Sequence, residues 1–327
     1  MEKIIVFLEN PDIDQKDLSF EISNHLDISI CYPQDIPNLK KEQKYCVVGI
    51  FTKLSKLVTN ELLQEFPNLQ LIGTPTTGTD HIQIQEASLE KIKLVTLKHF
   101  PKVISTFSST VEIVWWHIIE LTRFCSKYQD SIGQGIWNRY QYETVSLKNK
   151  TIGIVGLGRL GKKVAKVAES FDLKVIFFEI DSRSINEGIS LGYKYNSLEE
   201  IFSKAHIISI NIDDRKSNYQ LINNSLLSNI RENKPYLVNT SRGFVLNETD
   251  ILDGLRRGKL SGFGTDVIES EHEFTDSVIL ETSSIWTAKF KEHLPITITP
   301  HIGGATKDSM SISSLLILRK MFNMISV

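Results

Sequence analysis

The hexapeptide Gly156-Leu157-Gly158-Arg159-Leu160-Gly161 follows directly on the apolar run TIGIV (151–155) and leads into KKVAKVAESF, which has helical periodicity. A G-x-G-x-x-G sequence between a strand and a helix can seat a pyrophosphate. Gly156 permits the tight turn, Gly158 lets the backbone approach the phosphates, and Gly161 lets the helix close on the strand. The helix N-terminus then offers amide N–H groups and a partial positive charge. Glu179 closes the next apolar run, KVIFFE, eighteen residues beyond Gly161. A carboxylate there suits the ribose hydroxyls and repels a 2′-phosphate, which favours NAD over NADP. Arg183, close by in sequence, softens that preference. With strand, helix and acid all in place, a glycine turn that binds nothing is the weaker reading.

Three later segments each end a predicted strand and open a loop: NTSRG (239–243), GTDVIESE (264–271) and TPHIGG (299–304). Ligands of doubly wound sheets bind at such carboxyl ends. Taken singly, Arg242 reads as a loop ion pair and His301 as a satisfied loop histidine. Glu271 reads as part of a solvated run with Glu269, His272 and Glu273.

Together with PTTGTDHI (75–82), GIWNR (135–139) and the glycine turn, these segments stand in the order and spacing of a known family. Nearly end to end, the chain resembles the D-isomer-specific 2-hydroxyacid dehydrogenases, which include phosphoglycerate and D-lactate dehydrogenases. The resemblance implies a catalytic arginine at Arg242, a catalytic acid at Glu271 and a catalytic histidine at His301. The chemistry suits those residue types. Reduction of a 2-keto acid needs a hydride at the keto carbon and a proton at its oxygen. Imidazole titrates near neutral pH and can give that proton. A carboxylate on its other nitrogen orients the ring and raises its pKa. A guanidinium presents a planar fork to the substrate carboxylate. The resemblance further implies that Asp266 lies near the nicotinamide carboxamide, and that Arg159, Leu160, Thr240 and Ser241 contact NAD. It places Thr77 and Gly78 in the loop whose backbone N–H groups hold the substrate carboxylate. Preference for the D isomer comes from the resemblance alone. The alternative is an NAD(H)-sensing, corepressor-like protein of the same fold; the chain shows no interaction tail or basic surface of the kind that role would use.

Some positions depart from the family pattern. Asn211 and Asp213 stand where a histidine and a proline are usual, on the adenosine side of the cofactor. Val111 precedes Glu112 where an alanine is usual and crowds the nicotinamide side. His81 reads as a structural loop residue and His117 as packed, while His99 takes no role. No Cys/His/Asp spacing suggests a metal.

The elements that must position these residues follow from the patterning. The chain has 327 residues, 41% hydrophobic, enough for two domains with real cores. Its 37 Lys+Arg and 39 Asp+Glu leave a formal charge of −2, which points to no nucleic acid or anionic membrane partner. The three cysteines (31, 46 and 125) form no disulfide pattern. With no signal peptide or membrane-length apolar run, a cytoplasmic protein is expected.

Apolar runs IIVFL (4–8), CVVGI (46–50), LQLIG (69–73) and KLVTL (93–97) alternate with helical stretches such as 55–66. A long helical pattern spans 108–128, with Ser108, Ser109 or Thr110 as caps. Six strands are predicted after it, at 151–155, 174–178, 206–210, 236–240, 261–265 and 296–299, and a last helix over about 305–325. The expected fold is α/β with two doubly wound parallel-sheet domains. A flavodoxin-like substrate domain takes residues 1–101 and 302–327, and a Rossmann NAD-binding domain takes 102–301, with the active site in the cleft between them. By resemblance, the Trp115–Trp116 helix and the 133–140 loop form a homodimer contact, and no C-terminal regulatory domain is expected. The implied partner is a small 2-keto or 2-hydroxy acid.

Overall fold

A computed structural model describes residues 3–25, 27–83, 91–269, 271 and 280–325. The chain divides into two compact units, Met1–Phe107 with Ala305–Val327, and Ser108–Gly304.

The first unit is built on a five-stranded sheet of β1 (Lys3–Phe7), β2 (Ile28–Cys31), β3 (Val47–Phe51), β5 (Leu71–Gly73) and β7 (Lys93–Val95), while β4 (Val58–Thr59) and β6 (Ile82–Gln83) pair separately. The order β2-β1-β3-β5-β7, all parallel, is the flavodoxin-like arrangement. Alternation along β1 feeds two cores: Ile5 and Phe7 join one, Ile4 and Val6 the other. The helix Lys307–Ile325 returns to this unit and buries Ile317, Leu318, Met321, Phe322 and Ile325 in the first of these cores. The helix expected over 55–66 is shorter. Val58 donates its N–H to the His81 carbonyl at 2.9 Å, which makes a strand of that stretch. Helix Asn60–Gln64 begins only at Thr59, whose hydroxyl accepts from Leu62 N at 3.5 Å.

The second unit carries a seven-stranded parallel sheet: β8 (Thr151–Val155), β9 (Lys174–Phe178), β10 (Lys194–Tyr195), β11 (Ile207–Ile210), β12 (Tyr236–Asn239), β13 (Gly262–Thr265) and β14 (Ile296–Ile298). Its order, β10-β9-β8-β11-β12-β13-β14, is that of a Rossmann sheet, with the switch point between β8 and β11. The six expected strands form, and β10 is an addition. This edge strand has only two residues, both exposed, so its sequence has no apolar pattern to find. Both faces are covered, as a parallel sheet requires: Leu237 enters one core and Val238 the other.

The register brings the strand ends level. Val155 pairs with Ile210, Ile210 with Asn239, Asn239 with Thr265 and Thr265 with Ile298. The loops that begin at Gly156, Asn211, Thr240, Asp266 and Thr299 therefore leave from one edge.

The long helical pattern at 108–128 is broken. Helix Ser109–Arg123 ends at Phe124, which is left-handed (φ 54°), and a second helix runs Cys125–Gly133. The Glu120 carboxylate accepts the Ser126 N–H at 3.1 Å, which satisfies an end donor of the second helix. Ser108 is the N-cap by position, but its side chain makes no capping bond.

Candidate active site

The glycine turn sits at the switch point. Gly156 has φ +91°, and a Cβ there would lie 2.6 Å from the Asn211 carbonyl oxygen across on β11's loop. At Gly161 a Cβ would come within 2.0 Å of the Gly156 carbonyl, so the helix Arg159–Ser170 can close on β8 only without a side chain. Around Gly158, the N-cap, the space is open to at least 4 Å. These three environments match the three roles of a pyrophosphate turn. Leu160 packs against one core, and Arg159 extends to the surface.

Glu179 follows β9. Its Oε1 accepts the N–H groups of Ile180 (2.7 Å) and Asp181 (3.1 Å), which fixes the carboxylate at the strand end. Arg183 lies beside Asp181, the N-cap of helix Ser182–Ser190. Another cation also faces Glu179. Arg215 is held by Asp213, Nε to Oδ1 at 2.6 Å, and feels the Glu179 charge as well. Asp213, the residue standing in place of a proline, thus neutralises a guanidinium near Glu179.

Next along the edge, the Asn211 amide donates to Ser209 O at 3.0 Å, and its Oδ1 is buried without a partner. Thr240 Oγ1 is likewise buried and unpartnered. Orphaned buried polar atoms are rare, and two at the carboxyl edge of a dinucleotide-type sheet fit a polar ligand lying across it. Asn239 shapes the following turn. It accepts from Ser241 N at 3.1 Å and donates to Arg242 O at 3.0 Å. The Ser241 hydroxyl is used within the protein, donating to Ile210 O at 2.9 Å. Arg242, half-buried, donates from Nη1 to Ser241 O at 2.7 Å.

His301 and Glu271, thirty residues apart, meet. His301 Nδ1 lies 2.7 Å from Glu271 Oε1, so Nδ1 carries the proton it donates to the carboxylate. Among the described residues Nε2 has no hydrogen-bond partner. Burial alone would lower the His301 pKa. The Glu271 bond and charge, with Asp266 behind it, outweigh both burial and the opposing Arg242 charge, and the pKa is raised. Arg242, Glu271 and His301 are therefore electrostatically one cluster. His272 and Glu273, the rest of the acidic run, lie outside the described residues.

Asp266 is almost wholly buried and organises the His301 turn. Its Oδ1 accepts from Thr299 Oγ1 (2.6 Å) and Ile302 N (2.8 Å), its Oδ2 from Gly303 N (2.7 Å), and its carbonyl from His301 N (2.8 Å). Burial pushes the carboxyl pKa up, against those donors. Asp266, expected near the nicotinamide carboxamide, also organises the loop that carries His301 through its carboxylate. Asn239 and Thr299 take part in the same edge without a motif of their own; their only signal is a polar residue where a buried strand ends.

Thr77 and Gly78 lie in the first unit, in the loop after β5. There Thr76 Oγ1 donates to Gly78 O at 2.6 Å, and Thr74 Oγ1 meets His81 Nε2 at 3.1 Å. His81, read from the sequence as a structural loop residue, is buried. His99 closes a reciprocal cap with Thr96. Among the described residues no group of three His, Cys, Asp or Glu could hold a metal ion.

The second unit thus has the strand order and phosphate turn of a dinucleotide-binding domain, with an imidazole–carboxylate pair at the same edge. Residues 5–113 match the description "D-isomer specific 2-hydroxyacid dehydrogenase, catalytic domain", and residues 115–303 match "D-isomer specific 2-hydroxyacid dehydrogenase, NAD binding domain". The chain belongs to this family, and it is an NAD-dependent oxidoreductase that interconverts 2-keto acids and D-2-hydroxy acids. It is 33% identical over 238 residues to a glyoxylate reductase from Thermofilum pendens, covering 69% of this chain and 68% of that one. It is 26% identical over 259 residues to a glycerate dehydrogenase from Methylorubrum extorquens, covering 77% and 74%. The fold is shared with a D-lactate dehydrogenase from Aquifex aeolicus, with a TM-score of 0.79 at 23% identity over 99% of this chain and 95% of that one.

Proposed function

We propose that His301 is the acid–base group of the reaction, with Glu271 orienting it and Arg242 binding the substrate carboxylate. The 2.7 Å bond between His301 Nδ1 and Glu271 carries this reading. It leaves Nε2 to give its proton to the keto oxygen in reduction and to take it back from the hydroxyl in oxidation. Bound NADH supplies the hydride. Arg242 holds the carboxylate by its fork and offsets negative charge as it develops on the oxygen. Thr77 and Gly78 add backbone N–H groups to the carboxylate. On the cofactor side, Gly156, Gly158, Arg159, Leu160 and Gly161 hold the pyrophosphate and Glu179 the ribose, while Thr240, Ser241 and Asp266 serve the nicotinamide end. By this assignment the unit from Ser108 to Gly304 is the NAD-binding domain and the other the substrate domain.

His301→Ala tests the assignment. General acid–base catalysis contributes about 10²–10⁴-fold, so turnover should fall by that order while NADH still quenches tryptophan fluorescence with an unchanged Kd. A variant that turns over at the wild-type rate would remove His301 from the mechanism.

Relatives named for glyoxylate, glycerate and 3-phosphoglycerate point to a short 2-keto acid, with or without a phosphate, as substrate. A panel of glyoxylate, hydroxypyruvate, pyruvate and a phosphorylated 2-keto acid, followed by NADH absorbance, decides this. We also propose a homodimer. Trp137 (87% exposed), Tyr140 (85%) and Trp116 (41%) bring large apolar surface to the region from helix Ser109–Arg123 to the loop after Gly133. A cytoplasmic location is supported by the three free cysteines. Among the described residues no helix is long and apolar enough to cross a membrane.

A further inference from the structure

His117 is fully buried in helix Ser109–Arg123, and nothing in the proposed chemistry uses it. Its ring bridges two threonines of the segment leading to His301: Nδ1 lies 2.7 Å from Thr297 Oγ1, and Nε2 lies 3.2 Å from Thr299 Oγ1. Donor counting fixes the direction of both bonds. A threonine hydroxyl has one proton. That of Thr299 goes to Asp266 Oδ1 at 2.6 Å, so toward His117 Thr299 can only accept. Nε2 therefore carries the imidazole proton, Nδ1 is the acceptor, and Thr297 donates to it. The result is a one-way chain, Thr297 to His117 to Thr299 to Asp266.

The chain ends where the His301 turn is held. Asp266 takes the N–H groups of Ile302 and Gly303 on its carboxylate and that of His301 on its carbonyl. His301 itself has φ +52°, a left-handed conformation that a residue with a Cβ keeps only when its surroundings impose it. Room for the imidazole is built in: at Gly264 on β13, a Cβ would stand 2.8 Å from His117 Cβ.

We propose that His117 is a positioning residue, a neutral imidazole protonated on Nε2 that aims the Thr299 hydroxyl at Asp266 and so fixes the turn from which His301 acts. This rests on the acid–base reading of His301. The charged groups around the imidazole keep it neutral. Burial, then the Lys289 ammonium on helix Ser284–Phe290, push its pKa down to about 3, while the Thr299 hydroxyl stands between it and Asp266 in the hydrogen-bond chain.

The test uses the full-length protein, with His117→Leu to remove both bonds and His117→Gln to restore an N–H donor toward Thr299. With NADH and the best substrate of the 2-keto acid panel, His117→Leu should lower kcat about tenfold, because small misplacements of a reacting group are costly. KM for the keto acid and Kd for NADH should stay within about twofold, and His117→Gln should recover most of kcat. A purely structural role would lower the melting temperature without that split or rescue. NMR of ¹⁵N-histidine-labelled enzyme gives an answer independent of turnover. His117 should show the Nε2–H tautomer unchanged from about pH 5 to 9. The low-field Nδ1–H resonance of His301 should move in His117→Leu and return in His117→Gln. Wild-type kcat in His117→Leu, an Nδ1–H tautomer, or an unmoved His301 resonance would each overturn the proposal. His301→Ala separates the two readings. Turnover by that variant removes the acid–base assignment, whereas the His117 tautomer and the His301 resonance decide the positioning network by themselves.

Discussion

His301 shows how a residue's task is set by what surrounds it. Its pKa is raised above the ordinary 6.5 because the Glu271 bond and charge and the Asp266 charge outweigh burial and Arg242. The sign of the pH dependence follows. With His301 as the proposed acid, reduction draws on the protonated ring, so its kcat should hold above pH 6.5 and fall as pH rises through the raised pKa, while oxidation gains over the same range. Glu271→Gln removes the largest raising influence, and the fall in reduction should move to lower pH. An unmoved pH profile would show that Glu271 does not act on the ring. The same pair stabilises the fold, fully below pH 6.5 and progressively less as pH passes the raised value. Glu179, proposed to hold the ribose, is fixed by two backbone N–H groups. Glu179→Gln should raise kcat/KM with NADPH relative to NADH. If the ratio is unchanged, discrimination lies with Asp213, which occupies the Arg215 guanidinium that could otherwise meet a 2′-phosphate.

At the scale of elements, the glycine turn leaves no room for a side chain at the switch point. Gly156 combines φ +91° with a carbonyl 2.6 Å from a virtual Cβ. Gly156→Ala must shift backbone rather than a side-chain tip. It should cost about 1–3 kcal/mol, read as a lower denaturation midpoint, and should also weaken NADH binding. The motif, its strand, its helix and the acid after it were all legible in the sequence, because their signals are local. The break at Phe124 was not. Hydrophobic periodicity runs on through 108–128, and the interruption depends on a carboxylate four residues earlier, Glu120, capturing the Ser126 N–H. Nor was β10 legible, since two exposed residues pair with β9 by backbone bonds alone.

At the scale of the whole molecule, the first unit is discontinuous in sequence. The helix Lys307–Ile325 supplies five buried residues to the core of a sheet formed by the first hundred residues. Burying such side chains contributes roughly 1.5–3 kcal/mol each, comparable in sum to the stability of an ordinary domain. Ending the chain at Thr306 should therefore unfold the first unit, seen as lost ellipticity and protease sensitivity confined to residues before Phe107. The exposed aromatic surface around Trp137 gives a second prediction. The wild-type chain should sediment as a dimer, and Trp137→Ala should shift it toward monomer; a wild-type monomer at all concentrations would remove the dimer reading.

The sequence by itself determined the fold class, the family and NAD as the cofactor. Those rest on local patterning and on motifs such as the glycine turn, NTSRG and TPHIGG, whose residue types carry their own chemistry. Only the tertiary structure decided how the groups work together. The level strand ends bring loops from β8, β11, β12, β13 and β14 to one edge. The Nδ1 bond of His301, the donors converging on Asp266 and the buried ring of His117 all join residues from 30 to more than 180 positions apart. Such pairings are fixed by packing and by the need to satisfy every buried donor and acceptor, and no stretch of the chain carries them alone.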